Sequence, residues 1–148
     1  MAFQLTVRRV IKAPQERVFR AWTDPEHIKA WWLPPGWENP VIEVDLRAGG
    51  EFRLGMRQPG KEMFYAAGTF TEVKPPERVV CTWRWEPAAM FGLDPGETRL
   101  TVELKDRRAE TEMTLVHERI ATEKERKDNT KGWEECIERF AQLLQPGE

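Results

Sequence analysis

No serine occurs anywhere in the 148 residues, which excludes every serine nucleophile, the G-x-S-x-G elbow included. Cysteine is almost as scarce. Cys81 falls in mid-strand and Cys136 on the apolar stripe of a helical pattern; both read as buried structural thiols and not as nucleophiles. They form no C-x-x-C pair, and with His27 and His117 they show no metal-ligand spacing, so no metal and no other cofactor is expected. No apolar run approaches the length of a membrane span, and no basic segment followed by a long apolar one opens the chain. A cytoplasmic protein with reduced thiols and no membrane partner is therefore expected. Neither sign of charge dominates: 23 Lys and Arg stand against 25 Asp and Glu, a net charge of −2, with the signs interspersed. Phosphate binding needs clustered basic charge, so a nucleic-acid partner is not expected. The stretch Gly55-Met56-Arg57-Gln58-Pro59-Gly60-Lys61 has the spacing of a phosphate loop. Glu62 follows where a hydroxyl should ligate magnesium, and the next residues are strand-like, so it reads as a hairpin turn.

What the chain does have is tryptophan, seven in all, three of them in Trp31-Trp32-Leu33-Pro34-Pro35-Gly36-Trp37. Indole is costly to leave in water, so this block must face a core, a cavity or a partner.

Periodicity divides the chain into one sheet and three helices, as one domain over residues 1–148. Phe3, Leu5, Val7 and Ile11 lie on one face of a half-buried strand broken only by Arg9. Val18, Phe19 and Trp22 repeat at helical spacing after Pro14. Asp24 caps and Pro25 opens a second short helix with Ile28, Trp31 and Trp32 on its stripe, ended by Pro34-Pro35-Gly36. From residue 40 the period becomes two: Ile42, Val44 and Leu46; Phe52, Leu54 and Met56; a strand over residues 63–73; Val79 to Trp85; Leu100, Val102 and Leu104; Thr111, Met113, Leu115 and His117. Short turns separate these runs, the pattern of an antiparallel meander of about seven strands. Thr122-Glu123-Lys124-Glu125 fits a capping box, and Trp133, Cys136, Ile137, Phe140 and Leu144 then mark one long amphipathic helix, expected to fray or kink near Asn129 and Gly132. That helix is the only element long enough to cover the sheet's apolar face.

Several pieces in order resemble the activator-of-heat-shock-protein-90-ATPase-like family. It is part of the START-like or SRPBCC superfamily that includes polyketide cyclases and birch-pollen-allergen-like proteins. The pieces are Ala13-Pro14 with Val18-Phe19-Arg20-Ala21-Trp22-Thr23-Asp24-Pro25, then Trp31-Trp32 with Pro34-Pro35-Gly36, then Asp45-Leu46-Arg47-Ala48-Gly49-Gly50-Glu51-Phe52. Gly68-Thr69-Phe70, Pro75-Pro76-Glu77-Arg78-Val79-Val80, Thr82-Trp83, the strand from Thr111 to His117 and Gly132-Trp133 complete them. The resemblance implies an α+β helix-grip fold: a curved seven-stranded antiparallel sheet around the C-terminal helix, two short helices between the first two strands, and a hydrophobic cavity between sheet and helix.

Trp32, Phe52, Met56, Phe64, Phe70, Trp83, Trp85, Met113, His117, Trp133 and Ile137 should converge beneath the long helix as core or cavity lining. The leading function is therefore binding of a mainly apolar small molecule, a lipid, an aromatic or a polyketide-like compound. A cyclase or hydrolase in the same cavity is the second reading, with His117 and Tyr65 as the proton-moving candidates. A chaperone-interacting module is the third. Glu43, Arg53, Arg84 and Glu103 read as cross-strand surface pairs. The apolar stretch from Pro87 to Leu93 reads as a lid or an oligomer contact, with monomer and homodimer both open.

Overall fold

The computed structural model describes residues 2–86 and 97–145. Strand β1 (Phe3–Ile11) is followed by helices α1 (Gln15–Thr23) and α2 (Pro25–Trp31). Strands β2 (Glu38–Val44), β3 (Glu51–Arg57), β4 (Phe64–Lys74), β5 (Arg78–Glu86), β6 (Thr98–Arg107) and β7 (Glu110–Ile120) come next, and helix α3 (Glu123–Leu143) ends the order. The seven strands form one sheet in the order β1-β7-β6-β5-β4-β3-β2, every pairing antiparallel. It is the curved meander that the period-two pattern predicts, with β1 returned beside the last strand. The segment from Pro87 to Leu93 lies outside the described residues.

The local sequence explains each boundary that positions the site. Asp24 accepts from the Glu26 amide at 2.9 Å and Pro25 occupies the first position of α2, so a new helix starts one residue after α1 ends. Arg139 of α3 closes the other end of α2: its Nε donates to the Trp31 carbonyl and its Nη2 to the Trp32 carbonyl, both at 3.2 Å. Carbonyls of a last helical turn have no partner within the helix, so this arginine fixes where Trp31 and Trp32 sit relative to α3.

In β7, Thr111, Met113, Leu115 and His117 point inward and are at most 1% exposed. Strict alternation would send the next inward position to residue 119. Instead Arg119 adopts φ 66°, and the pairing with β1 slips between Leu5↔His117 and Phe3↔Ile120. This bulge delivers both His117 and Ile120 to the interior.

Helix α3 runs without interruption for 21 residues, which corrects the expected fray or kink near Asn129 and Gly132. Thr122 caps it by accepting from the Glu125 amide at 3.1 Å. Trp133, Cys136, Ile137, Phe140 and Ala141 bury one face. At about 1.5–3 kcal/mol for each large apolar side chain taken out of water, that face outweighs the ~1 kcal/mol cost of one helical glycine. Arg9, the break in the alternation of β1, is half-buried and pairs with Glu138 of the same helix.

Candidate functional site

A cleft of about 300 Å³ opens between α3 and the far half of the sheet. Three parts of the fold build it. The end of α2 and the residues after it supply Trp32, Leu33, Pro34 and Trp37. The sheet supplies Met56, Phe64, Trp83 and Trp85, and α3 supplies Asp128, Asn129, Gly132, Trp133, Glu135, Cys136 and Arg139. Met56 and Phe64 are register partners across β3 and β4, and both point inward because alternate residues of a strand share a face. Trp83 and Trp85 share the inward face of β5 in the same way.

The aromatic rings meet at steep angles. Trp83 is 5.7 Å from Trp32, 5.3 Å from Trp133 and 5.8 Å from Trp85 between ring centres. Trp37 stands edge-on to Phe64 at 5.9 Å. Such edge-to-face contacts add about 0.5–1.5 kcal/mol per pair beyond simple burial, so they favour keeping these rings together.

His117 sits behind the wall. Trp133 Nε1 donates to His117 Nδ1 at 3.1 Å, so Nδ1 carries no proton. The proton is then on Nε2, which donates to Thr98 Oγ1 at 2.7 Å. The Thr98 hydroxyl in turn donates to the Trp83 carbonyl at 3.0 Å. One chain of hydrogen bonds thus ties α3 to β7, β6 and β5 and satisfies every polar atom in it. Burial pushes the imidazole down from its ordinary 6.5 to about 4, so the ring is neutral at pH 7.

Of the eleven residues expected to converge, six line this cleft: Trp32, Met56, Phe64, Trp83, Trp85 and Trp133. Phe52 and Phe70, 5.5 Å apart, line a separate inner space of about 60 Å³. Met113 and Ile137 are buried in the core, and His117 serves the wall from behind. Tyr65 alternates with Phe64 and Ala66 and so faces outward, with the Arg53 guanidinium 3.7 Å above its ring. It shares no space with His117. The outer face also carries Arg53–Glu86 and Arg78–Glu103, which join different strands as charges on that face predict, while Arg84 pairs with Glu86 of its own strand and with Glu97 just before β6; Glu43 is in none of these pairs.

Apolar patterning missed the polar rim. Asn129, Gly132 and Arg139 recur with Trp133 and Cys136 at helical spacing, and that shared face is the signal that could have found them. The Cys136 thiol lies 4.0 Å from the Trp32 carbonyl, and burial pushes it up to about 12, so it stays protonated. Among the described residues no group of His, Cys, Asp and Glu is arranged to hold a metal, and no helix is long and apolar enough to cross a membrane.

The family described as Activator of Hsp90 ATPase homolog 1-like protein matches residues 12–145. A protein from Chromobacterium violaceum has a similar structure, with a TM-score of 0.85 and 28% identity over 97% of this chain and 98% of its own. A protein from Nitrosomonas europaea is similar at a TM-score of 0.76 and 28% identity, over 95% and 93% of the two chains. An AHSA1-like protein from Aeromonas hydrophila shares the fold, with a TM-score of 0.76 at 21% identity over 99% and 98%. No curated protein matches the chain in sequence.

Proposed function

The chain belongs to the Activator of Hsp90 ATPase homolog 1-like family, and from that premise we propose that its aromatic cleft binds a mainly apolar small molecule, a lipid, an aromatic or a polyketide-like compound. The observation that carries this reading is the cleft itself: about 300 Å³ walled by Trp32, Trp37, Phe64, Trp83, Trp85 and Trp133, with the charged and amide side chains among its described lining all on α3. Small-molecule sites have this make-up, a concave apolar body with a few polar groups to orient the ligand.

A two-ring aromatic burying ~200 Å² at about 25 cal/mol per Å² gains ~5 kcal/mol, which corresponds to a Kd of roughly 0.2 mM. Titrating naphthalene into labelled protein should therefore shift the indole N–H resonances of the cleft tryptophans in the sub-millimolar range, with Trp22 unaffected. Unmoved cleft resonances at saturating naphthalene would sink the reading.

Acid–base chemistry in this cleft has less support. His117 uses both ring nitrogens inside the protein, and the outward Tyr65 cannot assist it. A chaperone contact comes from the family description and from no feature of the cleft.

A further inference from the structure

Trp32 is a wall of two spaces. It lines the outer cleft and also the inner space of about 60 Å³ bounded from the sheet by Phe52, Phe70 and Leu100. Among the described residues only Trp83 and Trp133 are likewise common to both, so these three indoles form the partition between cleft and interior.

The three are not held alike. Trp133 is pinned through its N–H to His117, and Trp83 is held at its carbonyl by Thr98. The neighbouring Trp31 donates to the Ala21 carbonyl at 2.8 Å and stacks on Trp22 at 4.5 Å. Trp32 is only 8% exposed, yet among the described residues its buried Nε1 meets no acceptor. Buried N–H groups are nearly always paired, and an exception calls for a reason. Water in the inner space is a poor answer, because a buried water needs two to four polar partners and that lining is almost wholly apolar. The main chain at Trp32 is fixed by Arg139, which leaves the indole as the part with room to turn, having space on both sides.

We infer that the Trp32 indole N–H recognises a hydrogen-bond acceptor on the ligand. The preferred ligand is then an apolar, ring-bearing molecule with a carbonyl, ester or ether oxygen, and not a plain hydrocarbon. This rests on the cleft-binding reading above and narrows its chemistry. A small turn of the indole toward the cleft presents the N–H to such an oxygen while the ring stays against Trp83 and Trp133.

A matched pair of probes tests it. 2-Acetylnaphthalene and 2-isopropenylnaphthalene have nearly the same shape, a carbonyl oxygen in one replaced by a methylene in the other. Both are titrated into the wild-type protein and into Trp32→Phe, which keeps an aromatic wall and removes the N–H. The ketone should move the Trp32 indole N–H resonance downfield where the alkene does not. The ketone-to-alkene affinity ratio should fall about 2–12-fold in Trp32→Phe, the worth of one neutral hydrogen bond. A Trp32 resonance that ignores saturating ketone, or an unchanged ratio in the variant, overturns the inference. Should Trp32→Phe fail to fold, the wild-type resonance decides alone. If neither compound binds the wild type, the cleft reading itself has failed and this inference falls with it.

Discussion

Replacing His117 by Gln should flatten the acid limb of this protein's stability curve. In the folded state the imidazole is neutral, its Nδ1 accepting from Trp133 and its Nε2 donating to Thr98, and its pKa is pushed down to about 4 by burial. In the unfolded chain the same group titrates near 6.5. Between these two values the unfolded state binds more protons than the folded one, so stability rises with pH across this window and is lost as pH falls through it. A depression of that size, at 1.36 kcal/mol per unit, amounts to about 3 kcal/mol of stability lost between pH 6.5 and pH 4. Carboxylates contribute to the same limb, among them Glu138, held low by its hydrogen bond from Arg9. They are common to both proteins and cancel in the difference. The assay is urea unfolding followed by tryptophan fluorescence from pH 4 to pH 7.5, for wild type and His117→Gln. With a slope of about 1–3 kcal/mol per molar urea, the wild-type midpoint should fall relative to the variant's by roughly 1–3 M over the window. A difference between the two proteins that does not vary with pH would refute the reasoning, because it would mean that the folded imidazole titrates as it does in water.

Two glycines should respond to the same substitution in opposite directions. A Cβ at Gly132 meets nothing within 4 Å, so Gly132→Ala should stabilise α3 by about 1 kcal/mol and raise the thermal midpoint by about 2–4 °C. A Cβ at Gly68 would lie 1.9 Å from the Thr82 carbonyl oxygen and 2.8 Å from the Phe52 ring, so Gly68→Ala should cost about 3 kcal/mol as the strands are forced apart. Thermal unfolding followed by circular dichroism checks both, and equal midpoints for the two variants would contradict the packing described for either site.

Much of the architecture was legible because burial imposes a period. Thr111, Met113, Leu115 and His117 alternate, and Trp133, Cys136, Ile137 and Phe140 repeat at helical spacing. Either pattern assigns an element and its inner face without coordinates. Boundaries written in local chemistry were legible too, as at Asp24-Pro25 and Thr122. The break expected at Gly132 was wrong for a tertiary reason: local propensity saw a weak helical residue, and the packing of its neighbours overrode it.

The site divides along the same line. Sequence alone determined that the tryptophans must be sheltered, that no serine chemistry is available, and that apolar side chains from sheet and helix would converge. It could not determine which of them wall a cleft and which fill the core, since Phe70 and Phe64 obey the same alternation yet face different spaces. Nor could it join Trp133 to His117 or leave Trp32 without an acceptor among the described residues. Those outcomes depend on how α3 lies across the sheet and on the bulge at Arg119, where contacts between residues far apart in the chain decide what local pattern leaves open.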